Sequence, residues 1–253
     1  MMRKFRIIDG DKKKNIAALM YEPENTCKYI LIICHGFRGA KENSGNLAPF
    51  AQRLIKMGIG VLAFDFTGCG ESEGDFKHIT LSRQADDLKL VVDYVYSNYK
   101  LPILLLGRSF GGTTVLACGS DDERVSGYIL WSTPIYLEDT FAKSLQGYYR
   151  ELAKGYQVII KRDSDSFQLA PGFIADFKHH DMKKYIVGLG DKPVLVVQGL
   201  DDQTVAPANA EAIYKLCRNA WLELVPGADH RFSGRIIERD NLTIDWIKGH
   251  FKF

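Results

Sequence analysis

Short, nearly continuous apolar runs alternate along the chain with longer stretches whose apolar residues recur at helical spacing. Tyr29–Cys34 (YILIIC) is one such run, and residues 61–66 (VLAFDF), 103–106 (ILLL), 128–131 (YILW) and 194–197 (VLVV) repeat its character. Runs of this length with no polar alternation suit parallel strands buried on both faces. Between them, residues 47–57, 81–96, 113–118, 208–217 and Ile236–His250 carry the three-and-four spacing of amphipathic helices. This alternation predicts an α/β fold with a central, mostly parallel sheet and helices on both faces. The chain, 1–253, reads as one domain, since single α/β domains reach about 250 residues.

One interval breaks the rhythm. From Pro134 to Val187 the chain runs 54 residues between two strand signals, against about 2 to 6 for an ordinary strand-to-helix connection. Residues 158–162 and 167–170, separated by the turn cluster Asp163-Ser164-Asp165-Ser166, predict a β-hairpin inside it. Nine of the 54 residues are aromatic, a bias expected of an inserted lid or cap that packs over the sheet.

Composition and charge narrow the class. Lys and Arg number 33 against 31 Asp and Glu, for a formal net charge of +2. A nucleic-acid binder would concentrate positive charge, so no nucleic-acid partner is expected, and the near-neutral balance suits an uncharged ester substrate. No apolar run approaches the roughly 18 residues of a membrane span. The basic start at Arg3, Lys4 and Arg6 runs into Ile-Ile-Asp-Gly-Asp-Lys-Lys-Lys rather than an apolar export segment. A cytoplasmic, monomeric or homodimeric protein without a membrane partner is the expectation. Five scattered cysteines, Cys27, Cys34, Cys69, Cys118 and Cys217, form neither a disulfide framework nor a metal clamp.

The chemistry concentrates in residues 102–112, PILLLGRSFGG, where an apolar strand runs directly into Gly-Arg-Ser-Phe-Gly and then into a helical pattern. A strand-turn-helix context of this kind presents a serine hydroxyl above the carboxyl ends of the sheet, at a helix amino terminus that favours developing negative charge. Residues 70–74 (GESEG) match the same G-x-S-x-G string, but two glutamates flank Ser72 and no helix follows. Ser109 is therefore the candidate nucleophile.

A serine needs a base, and the base an orienting carboxylate. Of six histidines, His230 lies in a glycine-bearing loop (PGADHRF) between the strand-like 221–225 and the last helix. His35, His78, His179, His180 and His250 have positions that read more simply as structural. The carboxylate should fall between serine and histidine in chain order. GLDDQTV supplies two acids after a buried strand, and the Gly-x-x-Asp-x-x-Val register favours Asp202 over Asp201. Two backbone amides, those of Phe37 after His35-Gly36 and Phe110 after the serine, are the candidate oxyanion donors. Losing one such donor costs about 2.7 to 4 kcal/mol of transition-state stabilisation.

With HGF, DFTGCGESEG, GRSFGG, GLDDQTVAP and GADHRFSG in place, the sequence resembles the α/β-hydrolase superfamily over nearly all its length. Within it the chain looks most like bacterial cinnamoyl and feruloyl esterases and their lysophospholipase-like relatives, whose lid the inserted segment resembles. The resemblance implies Ser109 as nucleophile, His230 as base, Asp202 as orienter and Phe37 with Phe110 as the oxyanion pair. Family elbows commonly read G-H-S-x-G-G, whereas Arg108 stands at the histidine position here. Gln198 stands where a histidine often precedes the glycine, and Cys69 where a histidine is frequent in the DFTGCG loop. The expected function is a cofactor-free, metal-free serine esterase acting on a small-molecule ester, with hydroxycinnamoyl and short-to-medium acyl esters as candidates. Tyr148, Tyr149, Tyr156 and Phe173 of the insertion are candidate substrate contacts, and equally candidates for the cap's own core. The same triad would serve a thioesterase, a serine aminopeptidase or a cofactor-free haloperoxidase. A non-catalytic scaffold is disfavoured because all three triad positions are filled, and a dehalogenase would need an aspartate at position 109.

Overall fold

The structure, a computed structural model, describes residues 1–10, 14–120, 122–161 and 165–252. Its main sheet has eight strands: β1 (Met2–Asp9), β2 (Lys14–Tyr21), β3 (Tyr29–Cys34), β4 (Ile59–Phe64), β5 (Ile103–Arg108), β6 (Val125–Trp131), β9 (Val194–Gly199) and β10 (Ala220–Val225). They lie in the order β1-β2-β4-β3-β5-β6-β9-β10. β2 is antiparallel to both neighbours, and every later pairing is parallel. The small second sheet pairs β7 (Val158–Lys161) with β8 (Ser166–Leu169).

The helices are α1 (Leu47–Ile55), α2 (Leu81–Tyr99), α3 (Phe110–Gly119), α4 (Leu137–Leu145), α5 (Gly147–Ala153), α6 (Gly172–Ala175), α7 (Met182–Gly188), α8 (Ala208–Leu216) and α9 (Ile236–His250). Alternate residues of each central strand face opposite sides, so the sheet divides two apolar layers. Ile30 and Ile32 pack with Leu88 and Val91 of α2, Val115 of α3 and Ile213 of α8. Leu31 and Ile33 pack with Phe50 and Leu54 of α1 and Ile244 and Ile247 of α9 on the other face. Helices therefore cover both sides, as the unbroken apolar runs require.

The boundaries differ from the periodicity in instructive places. β4 spans Ile59–Phe64 rather than 61–66, because Asp65 leaves the ladder to meet the Lys41 ammonium at 2.8 Å in a buried pair. α3 starts at Phe110, three residues before the expected 113, since Gly111 and Gly112 hide a helical start that tertiary contacts enforce. The hairpin β1–β2 has no counterpart in the sequence reading. β1 is a largely exposed edge strand whose polar pattern carries no buried-strand signal.

Residues 134–187 contribute α4 to α7 and the β7–β8 hairpin. Val158 pairs with Leu169 and Lys161 with Ser166, while Arg162 of the expected strand and Asp163 and Ser164 of the expected turn lie outside the described residues. The cysteines show no disulfide among the described residues. No helix there is long and apolar enough to cross a membrane.

Candidate active site

β5, β9 and β10 run parallel, so the loops leaving their carboxyl ends gather at one edge of the sheet, where open α/β sheets place their sites. Ser109 leaves β5 and caps α3 with φ 52° and ψ −126°, a conformation that a side-chain-bearing residue adopts only when its surroundings hold it. Its N–H donates to the Trp131 carbonyl at 2.7 Å, and the Gly112 N–H returns a 2.8 Å bond to the Ser109 carbonyl. A Cβ on Gly107 would lie 2.4 Å from Gly112 Cα, and one on Gly111 would lie 2.4 Å from the Cys34 and His35 carbonyl oxygens. Both glycines are fixed by backbone approach: the elbow cannot close around a side chain at either position.

His230 arrives from the loop between β10 and α9. Asp229 Oδ1 shapes this loop by accepting from the N–H groups of Arg231 at 2.9 Å and Ser233 at 2.8 Å. The imidazole Nε2 lies 3.1 Å from Ser109 Oγ, and its Nδ1 lies 2.8 Å from Asp202 Oδ2. Asp202 Oδ1 accepts from the N–H groups of Thr204 and Val205, each at 2.8 Å. Burial opposes ionisation of this carboxyl, but the hydrogen bond and charge of His230 and the two amides outweigh it and hold Asp202 below its ordinary range. An ionised Asp202 draws the imidazole proton to Nδ1, leaving Nε2 to accept from the serine hydroxyl. Asp201, its sequence neighbour, is exposed at the rim of a cavity and does not meet His230.

Gln198 is a contributor that sequence reasoning noted only as a departure. Its side chain is fully buried, and Nε2 lies 3.0 Å from Asp202 Oδ2, 3.1 Å from the Gly199 carbonyl and 3.2 Å from the Val205 carbonyl. The amide thus clamps the aspartate loop from beneath. The only signal for this was its place at the end of β9, four residues before the acid.

Three of the remaining histidines, His35, His180 and His250, have structural partners. His35 accepts the Phe66 N–H at Nε2 (3.2 Å) and donates from Nδ1 to the Gly36 carbonyl (2.8 Å), and burial lowers its pKa, so it stays neutral and shapes the loop carrying Phe37. His180 meets Ser82 Oγ at 3.0 Å and Asp176 Oδ2 at 3.1 Å through the same Nε2. This second serine-histidine-aspartate group is no relay, because one nitrogen faces both partners while Ser82 donates directly to Asp176 at 2.7 Å. His250 bonds the Trp246 carbonyl.

Phe110 follows Ser109 directly, and its ring lies 6.3 Å from that of Phe37. A Cβ on Gly36 would lie 3.2 Å from Ser109 Cβ, which measures how closely the Phe37 loop backs the serine. Neither amide N–H is consumed by an intramolecular hydrogen bond among the described residues. Two cavities meet at the serine. The larger, about 590 Å³, carries both signs of charge: its lining includes Phe37, Ser109, His230, Asp201, Asp229 and Arg231 and, from the 134–187 segment, Phe141, Lys143, Ser144 and Leu145. The smaller is about 310 Å³ and shares Phe37, Ser109, His230 and Arg231 with it.

The expected aromatic contacts need correction. Tyr148, Tyr149, Tyr156 and Phe173 line neither cavity. Tyr148 and Tyr156 are exposed, and Tyr149 packs partly buried against the core. Phe173 is buried in a ring cluster with Phe37, Phe110, Phe141 and Phe177. Phe141, Phe173 and Phe177 therefore dock the insertion onto the loop carrying Phe37 and onto the elbow, and α4 supplies part of the cavity wall. Among the described residues no cluster of histidine, cysteine, aspartate or glutamate could hold a metal ion.

Comparison with known proteins agrees with this architecture. An uncharacterised 31.7 kDa protein of Escherichia coli is 30% identical over 124 residues, covering 47% of this chain and 43% of its own length, so the match spans less than half of that relative. The monoacylglycerol lipase of Mycolicibacterium smegmatis is 25% identical over 91% of this chain and 92% of its own. Among solved structures, Est1E from Butyrivibrio proteoclasticus with ferulic acid bound superposes with a TM-score of 0.81 at 21% identity, covering 97% of this chain and 98% of that one. The proline iminopeptidase of Saccharolobus solfataricus is 30% identical over 52% of this chain and 42% of its own. The family model described as serine aminopeptidase, S33, matches residues 25–187, and with the sheet order and the elbow at Ser109 it makes this chain a member of that family of α/β-hydrolases.

Proposed function

We propose that the protein is a serine hydrolase that cleaves carboxylic esters through an acyl-enzyme. The observation that carries this reading is the hydrogen-bonded series Ser109 Oγ, His230 Nε2 and Nδ1, Asp202 Oδ2 at 3.1 and 2.8 Å, opening on a cavity. His230 takes the hydroxyl proton as Ser109 attacks the ester carbonyl, and Asp202 stabilises the resulting imidazolium. The amides of Phe37 and Phe110 receive the oxyanion. His230 then protonates the departing alcohol, and water activated by the same imidazole releases the acid. Residues 134–187 act as a cap whose α4 wall, rather than its tyrosines, selects the substrate.

Fluorophosphonate labelling and hydrolysis of short p-nitrophenyl esters test the reading: both are expected in the native protein and absent after Ser109→Ala. Persistent labelling of that variant would hand the chemistry to another residue. One observation bears on an aminopeptidase alternative: Asp201 and Asp229 line the larger cavity and could meet a substrate ammonium there, although Lys143 and Arg231 line it as well. Faster turnover of aminoacyl amides than of neutral esters would favour that activity.

A further inference from the structure

The smaller cavity beside Ser109 differs from the larger one in charge. Its lining includes Arg38, Arg108, Arg231 and Arg239 and no carboxylate. Two of these cations are neutralised from outside the cavity: Arg38 pairs with Asp165, and Arg239 pairs with Asp240 at 2.7 Å. Arg108 and Arg231 have no carboxylate partner among the described residues. Arg108 is the telling case, because it immediately precedes the nucleophile and is mostly buried. Its one side-chain acceptor is a neutral amide oxygen, Asn43 Oδ1, at 3.0 Å. A guanidinium has five N–H donors in a planar fork, so most of this donor capacity is unused inside the protein.

An unpaired, desolvated cation is costly, and burial, with the charges of Arg239 and Arg231, pushes the Arg108 pKa down to about 10. The charges of Asp202 and Asp229 offset only part of this. Arg108 remains a cation at neutral pH, facing a cavity that lacks a counterion. A guanidinium fork in that setting recognises a planar or tetrahedral oxyanion by paired, charge-assisted hydrogen bonds.

We propose that the cavity lined by Arg108 and Arg231 is an anion subsite, and that the preferred substrate is an ester carrying a carboxylate or phosphate on one of its two arms. This rests on Ser109 being the nucleophile, and it names the substrate class of that site. Because both cavities share Ser109 and His230, an ester carbonyl at the serine sends one arm into the larger pocket, walled by Phe141 and Leu145, and the anionic arm toward Arg108. The near-zero net charge of the whole chain averages over this local excess.

Two matched substrate pairs test the proposal on the full chain: p-nitrophenyl pentanoate against p-nitrophenyl hydrogen glutarate, and butanoyl glycerol against butanoyl glycerol phosphate. The first pair reads an acyl-borne carboxylate and the second an alcohol-borne phosphate. In at least one pair kcat/KM should favour the anionic member by about tenfold or more. That ratio should fall toward one in Arg108→Gln, fall by a smaller factor in Arg231→Gln, and shrink as ionic strength rises from 0.05 to 0.5 M. Calorimetric binding of the same four compounds to Ser109→Ala protein gives a readout that needs no turnover. Equal kcat/KM within both pairs, with neutral esters cleaved and Ser109 labelled, would overturn the anion subsite and leave the nucleophile standing. Absent cleavage and absent labelling in the native protein would overturn the role of Ser109 instead. The binding arm would then decide the subsite, and affinities unchanged by Arg108→Gln would overturn it.

Discussion

Ser72 and Ser109 both occupy G-x-S-x-G strings, yet the fold puts their hydroxyls to opposite uses. Ser72 Oγ donates to the Asp65 carbonyl at 2.6 Å and accepts the Ala17 N–H at 2.8 Å, so it ties the segment after β4 to β2. Its flanking glutamates are also engaged, Glu71 with the Lys41 ammonium and Glu73 with the Asn15 amide, each at 2.6 Å. Ser109 sits at a helix start with its hydroxyl turned to an imidazole and two cavities. Shared spacing did not create shared chemistry. What separates them is the element that follows the serine: a helix leaves the hydroxyl poised at its amino terminus, whereas a turn folds it back into the backbone.

The comparison breaks most sharply by deleting each hydroxyl. Ser109→Ala is expected to lower kcat/KM for a p-nitrophenyl ester by about 10⁴-fold or more. Ser72→Ala should leave kcat/KM within about threefold and instead lower stability by about 1–3 kcal/mol, through its two lost bonds, seen as a fall in Tm. Substantial ester turnover by Ser109→Ala protein would sink the distinction.

The adjacent acids repeat the contrast on a finer scale. Asp202→Asn should cost about 10⁴-fold in kcat, because the imidazole loses its tautomer control, while Asp201→Asn, at the exposed rim, should change kcat by less than about threefold on neutral esters. A smaller effect is expected beneath the triad. Gln198→Leu removes one donor to Asp202 Oδ2 and should lower kcat about tenfold with KM little changed, since the substrate cavities do not include it.

The smallest effect is thermodynamic. The folded pKa of Asp202 lies below its ordinary 3.8, so the ionised carboxylate contributes stability above about pH 4 that is lost as the pH falls through the lowered value. The Tm difference between native protein and Asp202→Asn should therefore be largest near neutrality and shrink toward pH 3. A difference that widened with acidification would contradict the assigned His230–Asp202 bond.

Much of this was legible before any coordinates. Apolar runs located the central strands and the amphipathic spacing located α1, α2, α8 and α9, because burial on both faces leaves a one-dimensional trace. The same pattern was silent for β1, whose edge position leaves its residues exposed, and for α4 to α7, whose short helices cover only part of the core. Gln198 and the four insertion aromatics show the limit for single residues. An aromatic excess indicated that the segment must bury something, without saying whether that would be substrate or its own anchoring cluster.

By itself the sequence determined the succession of the central strands with α1, α2, α8 and α9, the elbow at Ser109, the register that favours Asp202 and the chain order of serine, acid and histidine, since each depends on local propensity, local sterics or simple succession. Tertiary structure alone decided that Phe173 anchors while α4 lines the cavity, that Gln198 reaches Asp202, and that Arg108 is left without a carboxylate partner beside Ser109. Those outcomes depend on distances between residues far apart in the chain, and charge balance, burial and hydrogen-bond reach are properties of that proximity.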